Sequence, residues 1–157
     1  MNKKKLTTEE IFKSAFDNHK KNNLQEPEDL YKKAIQQKPD HVNSLFYLGG
    51  LLAQKKNFEV ATGLFEKVIK INPKYPSIKF NLLSMYKVVG NIFSKKNNLS
   101  EAKNIFEKAL ILDPDNSEVA HLYGTLLLKI NQHIKGLNYI RKGTSFIRFT
   151  PKNYKII

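Results

Sequence analysis

The chain has 157 residues, 41% of them hydrophobic, which suits one domain with a continuous core and is too apolar for a disordered tail. Cysteine is absent, which excludes disulfides and thiolate metal sites, and no window approaches the roughly 18 apolar residues of a membrane span. The formal net charge of +13 is nearly all lysine, with Arg141 and Arg148 the only arginines. Readers of bases and phosphates favour the planar arginine fork, so these lysines read as a solvated surface rather than a phosphate track. The opening MNKKKLTTEEIF is basic but lacks the apolar run of a signal peptide, and the expected setting is the cytoplasm.

Taken in order, the chain opens with Thr7-Thr8-Glu9-Glu10, a capping box in which Glu10 reaches back to Thr7. Ile11 and Ala15 then start an apolar stripe, and Pro27 falls in the first turn of a second helix, where its missing N–H costs little. His41 beside Asp40 stands at a junction and is expected to help cap the next helix. From Val42, Leu45, Leu48, Gly49 and Leu52 recur at helical spacing, and Ala61, Leu64, Phe65 and Val68 repeat the device after a polar break at Lys55-Lys56-Asn57. Gly49 and Ala61 are small where two backbones should approach, and Pro73 ends the second helix.

The prolines Pro39, Pro73 and Pro114 terminate three such hairpins at separations of 34 and 41 residues. Tyr31/Ala34/Pro39, Phe65/Val68/Pro73 and Phe106/Ala109/Pro114 keep one internal spacing. In this phase the chain divides into 8–41, 42–75, 76–116 and 117–150, making one domain over 1–150 and an extended tail or linker at 151–157. The third unit begins Pro76-Ser77, packs through Leu82, Leu83 and Tyr86, and carries seven extra residues expected between Tyr86 and Ala102. They form either a loop over 87–99 or two more turns of the first helix; the helical spacing of Val88, Val89, Ile92 and Phe93 favours the longer helix, with Ser100 capping the next. The fourth unit starts with the capping sequence Asp115-Asn116-Ser117-Glu118, and Gly136, Ile140 and Gly143 follow in its second helix. The chain ends FIRFTPKNYKII, two short extended segments about Pro151.

The 34-residue spacing and the small and large residues within Val42–Tyr75 together resemble the tetratricopeptide repeat. The resemblance implies an all-α, right-handed α-solenoid of about four helix–turn–helix repeats, a protein-interaction scaffold whose first helices line a concave groove for peptide segments. One step round from Leu45 lies Phe46, and the expected equivalents are Phe12, Phe80 and His121, with Phe16, Tyr47, Asn81, Lys87 and Lys129 nearby. Such a ladder suits a protein or peptide with apolar anchors, and rim lysines favour an acidic one. The plainer reading is that the phenylalanines pack against the next unit.

A subgroup of the family grips chaperone tails by their carboxylate through Lys, Asn and Arg. Here those places hold Phe12, Phe16, Tyr47, Ser77 and Asn81, or Phe46, Gly50, Asn81, Glu118 and Leu122 one unit later, so chaperone tails are not the expected partner. No catalytic constellation, cofactor motif or metal-ligand spacing is present: His19, His41, His121 and His133 are scattered. The expectation is a non-enzyme without cofactor. Two alternatives stand beside the scaffold: the amino-terminal module of a larger bacterial glycosyltransferase, sulfotransferase or oxygenase, and a basic nucleic-acid-binding surface. Self-association is expected through Val88, Val89, Ile92 and Phe93, or through Ile140 and Phe146 in the uncapped last unit.

Overall fold

The computed structural model describes residues 6–21, 25–143, 147–149 and 154–156. The chain falls into two compact units, Met1–Leu82 and Leu83–Ile157. The first holds α1 (Thr8–Lys20), α2 (Gln25–Gln37), α3 (Val42–Gln54), α4 (Phe58–Ile71) and the opening of α5 (Ile78–Lys95). The second holds the rest of α5, then α6 (Leu99–Leu112), α7 (Ser117–Lys129), α8 (His133–Gly143) and the strands β1 (Ile147–Phe149) and β2 (Tyr154–Ile156). None of the described helices is long and apolar enough to cross a membrane.

In the first unit the capping box forms as read. The Glu10 backbone N–H donates to Thr7 Oγ1 at 3.2 Å, and the Thr7 N–H donates to Glu10 Oε2 at 2.8 Å. The stripes then pair. Ile11 and Ala15 of α1 are buried with Tyr31 and Ala34 of α2; Leu45, Leu48 and Leu52 of α3 are buried with Ala61, Phe65 and Val68 of α4. The close approach in the second hairpin is a ring over a glycine: a Cβ on Gly49 would stand 2.9 Å from the Phe65 ring. Ile78 and Leu82, from the start of α5, are buried in the same unit.

The second unit repeats this with different side chains. A Cβ on Gly90 would stand 2.6 Å from the Phe106 ring, and one on Gly124 would stand 2.7 Å from both the Gly136 carbonyl oxygen and the Ile140 side chain. Ala102, Phe106, Tyr123, Leu126 and Leu127 form its core, with Phe93, Leu99, Leu110 and Leu122 packed on it. Gly136 and Gly143 cost α8 roughly 1 kcal/mol each in helix propensity relative to Ala, yet α7 and α8 could not approach this closely with a Cβ at either position. The strands pair antiparallel, with Ile147 opposite Ile156 and Phe149 opposite Tyr154. Phe146 and Pro151, which the sequence placed in this tail, lie outside the described residues.

Helix α5 has 18 residues against 13 in α3 and α7, so the longer-helix reading is the one realised. The phase differs from expectation. Gly90 and Phe106 stand 16 residues apart, as Gly49 and Phe65 do, and the residues that turn each hairpin confirm the frame. Lys56, Asn97 and Asn131 are left-handed, with φ of 61°, 62° and 61°, and each lies seven residues after Gly49, Gly90 or Gly124. The seven extra residues therefore stand at the front of the unit, over 76–82, where α5 begins at Ile78, and not between Tyr86 and Ala102.

Three details follow from that shift. Val89 occupies the place of Leu48 and is 2% exposed, so it belongs to the core and not to a self-association stripe. Ile140, buried against Gly124, is removed from that stripe for the same reason. Helix α6 begins after Asn98 with no side-chain cap bond, so Ser100 is inside the helix rather than its cap.

Gly124→Ala is expected to destabilise the second unit by about 1–3 kcal/mol, because backbone and not a flexible side chain must give way. Gly50, with nothing within 4 Å of a built Cβ, is the control: Gly50→Ala should stabilise by about 0.5–1 kcal/mol. Urea denaturation of the two variants separates these signs. A second test concerns Glu28, whose carboxylate oxygens accept from Lys32 Nζ and Lys55 Nζ, each at 2.6 Å. The hydrogen bond from Lys32, then that from Lys55, holds this carboxyl below its ordinary 4.5. Its contribution is thus present above that pH and lost as acid protonates the folded form. Glu28→Gln should cost about 1 kcal/mol at neutral pH, and melting curves of the two proteins should converge under acid.

Candidate partner-binding surface

Across α1 and α3 the first unit carries a continuous layer of rings. Phe12 lies 5.9 Å from Phe16, 5.7 Å from Tyr47 and 5.4 Å from the His41 ring, centroid to centroid. Phe16 meets Tyr47 edge to face at 4.8 Å, and Tyr31 stacks on Tyr47 at 6.2 Å. Phe46 continues the layer, 5.5 Å from Tyr47 and 4.8 Å from Tyr75. Phe12, Phe16, Phe46 and Tyr47 are each half-buried, so every ring packs against a neighbour and is still partly exposed. The packing reading is thus realised for part of each ring, and the remainder is exposed.

The layer is pinned by polar bonds at its edges. The Tyr75 hydroxyl donates to Asn43 Oδ1 at 2.9 Å, and burial pushes that phenol upward in pKa. The Tyr31 hydroxyl lies 3.4 Å from His19 Nδ1. Sequence reasoning missed Tyr31, Tyr75 and His19 here; the one signal was that Tyr31 and Tyr75 sit in phase with the repeat. A hollow of about 200 Å³ opens beside Phe16, His19, Lys20 and Tyr47, with Lys20 Nζ 4.2 Å from the centre of the Phe16 ring.

His41 does cap α3, and it does so with company. The Ser44 hydroxyl, at 2.7 Å, and the Ser44 backbone N–H, at 3.3 Å, converge on His41 Nδ1. The ring proton then belongs on Nε2, which donates to Glu9 Oε1 at 3.0 Å. Carboxylate, imidazole and hydroxyl in a row have the outline of a nucleophile's relay. Ser44 is 0% exposed in the first turn of α3, however, so no substrate can reach its oxygen. The three residues tie α1 to the start of α3 and orient the layer.

In the second unit the equivalent repeat positions are polar. Three residues before Gly90 stands Lys87, so Lys87 and not Phe80 is the counterpart of Phe46, and His121 holds that place before Gly124. Lys87 Nζ donates to Glu118 Oε2 at 2.5 Å, and Lys129 Nζ to Ser94 Oγ at 3.2 Å. His121 Nδ1 is buried without a partner among the described residues. Phe80, in the added turns of α5, is 74% exposed, and Asn81 beside it is half-buried. Among the described residues no three His, Asp or Glu side chains gather as a metal site would require.

Two tetratricopeptide repeat models match the sequence, one over residues 83–116 and one over 105–138. The first span is the frame that Gly90 and Asn97 set. No curated protein matches the chain in sequence. Among solved structures, MamA AMB-1 superposes with a TM-score of 0.63 at 20% identity over 88% of this chain and 72% of its own. MamA MSR-1 gives 0.58 at 20% identity over 88% and 75%, and MamA 41-end from Desulfovibrio magneticus RS-1 gives 0.53 at 16% over 87% and 73%. These likenesses concern the fold: all-α, built from helix–turn–helix repeats in a solenoid. With its hairpins in phase and both matches falling on them, the chain carries tetratricopeptide repeats over residues 83–138.

Proposed function

We propose that the protein is a non-enzymatic interaction scaffold that binds a peptide or protein segment on the face carried by its first helices. One observation carries this reading: a layer of rings, Phe12, Phe16, Phe46 and Tyr47, packed firmly enough to keep its shape and still partly exposed. Aromatic side chains that are already ordered bind at low entropic cost, and apolar anchors of a partner gain most there. Phe80 and Asn81, from the added turns of α5, extend the candidate contacts of the first unit. Lys87, His121 and Lys129 supply the polar contacts of the second.

The charge favours an acidic partner. With a formal net charge of +13 the chain attracts anionic segments at long range, and the effect weakens with salt. Self-association, if the same protein uses it, would draw on Val88, Ile92 and Phe93, since Val89 and Ile140 are interior.

Phe46→Ala should weaken capture of partners from the source cells about 10–100-fold, as expected for loss of an aromatic anchor. Helical content, read by circular dichroism, should stay unchanged. An equal loss of folding would make Phe46 a core residue and remove it from the interface. Titration with RNA or DNA gives the competing outcome: a strong, salt-dependent shift there would replace the protein partner with a nucleic acid.

A further inference from the structure

We propose that the hollow between the end of α1 and the middle of α3 is an anchor pocket for one apolar side chain of a partner segment that carries a carboxylate beside it. The proposal rests on the partner-binding reading above and gives that partner a chemistry. The hollow measures about 200 Å³ and is lined by Phe16, His19, Lys20 and Tyr47. Sites for drug-sized ligands begin at about 300 Å³, so this one accommodates a side chain rather than a cofactor.

Its walls are fixed before anything binds. Phe16 and Tyr47 meet edge to face at an interplanar angle of 69°. Phe12 stacks on Phe16, and Tyr31 stacks on Tyr47, so neither wall can swing in without disturbing a second ring. The contact between His19 Nδ1 and the Tyr31 hydroxyl places the imidazole at the lip. A void bounded by rings that are themselves packed keeps its shape, which is the condition for receiving an apolar group at little ordering cost.

The charge at the mouth selects the occupant. Lys20 Nζ stands 4.2 Å from the centre of the Phe16 ring, held by the ring's negative face. Among the described residues lining the hollow, Lys20 is the one formal charge and no carboxylate is present. An apolar group entering beside Phe16 therefore brings its flanking atoms to an ammonium that is already in place. A carboxylate is rewarded there and a cation rejected. A second copy of this chain fits less well, because it carries the same excess of lysine.

The pocket can be probed with N-acetyl-L-phenylalanine and its neutral amide, titrated into the full chain and followed through the Phe16 and Tyr47 ring signals by NMR. Both should shift those signals with millimolar affinity, the range set by about 0.3 kcal/mol per heavy atom. The carboxylate form should bind at least three-fold more tightly. Lys20→Met, at an exposed position, should abolish that preference; Phe16→Ala should weaken both probes ten-fold or more. Equal affinity of the two probes, shifts confined to residues elsewhere, or displacement of both by an oligothymidylate at lower concentration would overturn the proposal. Partners lost on Phe46→Ala but kept by Phe16→Ala and Lys20→Met would overturn the pocket alone. Partners kept by all three variants would overturn the scaffold reading as well.

Discussion

In α3–α4 and again in α5–α6, a phenylalanine ring of the second helix lies where the first helix has no Cβ, and most of the architecture depends on that contact. Gly49 receives Phe65 and Gly90 receives Phe106; an alanine at either place would push into the ring. The helices are thus held at a distance set by the thickness of a ring, and their rotation is fixed because only one residue per turn can accept it. Where the ring becomes Ile140, the backbones close further, and Gly136 replaces the alanine that stands at Ala61 and Ala102. Small and large residues are therefore exchanged together. In the first hairpin buried Ala15 and Tyr31 keep the same separation, and buried Pro27 stands where the later hairpins have Ala61 and Ala102.

The same contact explains what the sequence disclosed and what it concealed. Prolines at 39, 73 and 114 marked the hairpin ends and showed that one unit was seven residues too long. They could not show where the excess lay, because a proline marks a terminus and carries no information about the phase of the preceding helix. Phase resides in the pair that touches. Gly90 and Phe106 keep the separation of Gly49 and Phe65, and Asn97 turns the chain as Lys56 and Asn131 do. Counting forward from Pro76 instead set Phe80 beside Phe46 and made Val89 a surface residue. Counting back from the ring makes Lys87 the counterpart of Phe46 and puts Val89 in the core.

The candidate site was legible only in part, for a related reason. Helical spacing showed which residues share a face, and Phe12, Phe16, Phe46 and Tyr47 do. It could not show that Tyr31 and Tyr75 would reach that face from other elements, nor that Lys20 would lie on Phe16. The tyrosine contacts join residues of different elements, and only the packed hairpins bring them together, whereas Lys20 and Phe16 are neighbours one turn apart on α1. The triad-like row of Glu9, His41 and Ser44 makes the same point in reverse. Residue types alone would suggest chemistry, whereas burial of Ser44 assigns the row to helix capping.

On the proposed scaffold reading, the two units would contribute differently to recognition. In the first, the face holds rings whose apolar surface is worth something only when water leaves it, so affinity would reside there. In the second, Lys87 is already engaged by Glu118, whose side chain is 64% exposed. A solvent-exposed pair of this kind contributes about 0–1 kcal/mol, so exchanging Glu118 for a partner's carboxylate changes the free energy little in either direction. Such a contact discriminates between partners without binding them strongly: a cationic residue opposite Lys87 is penalised, and an anionic one is merely tolerated. On that reading ring contacts would supply the energy and lysines the choice, so an excess of positive charge spread over turns and helix faces is compatible with a small aromatic site.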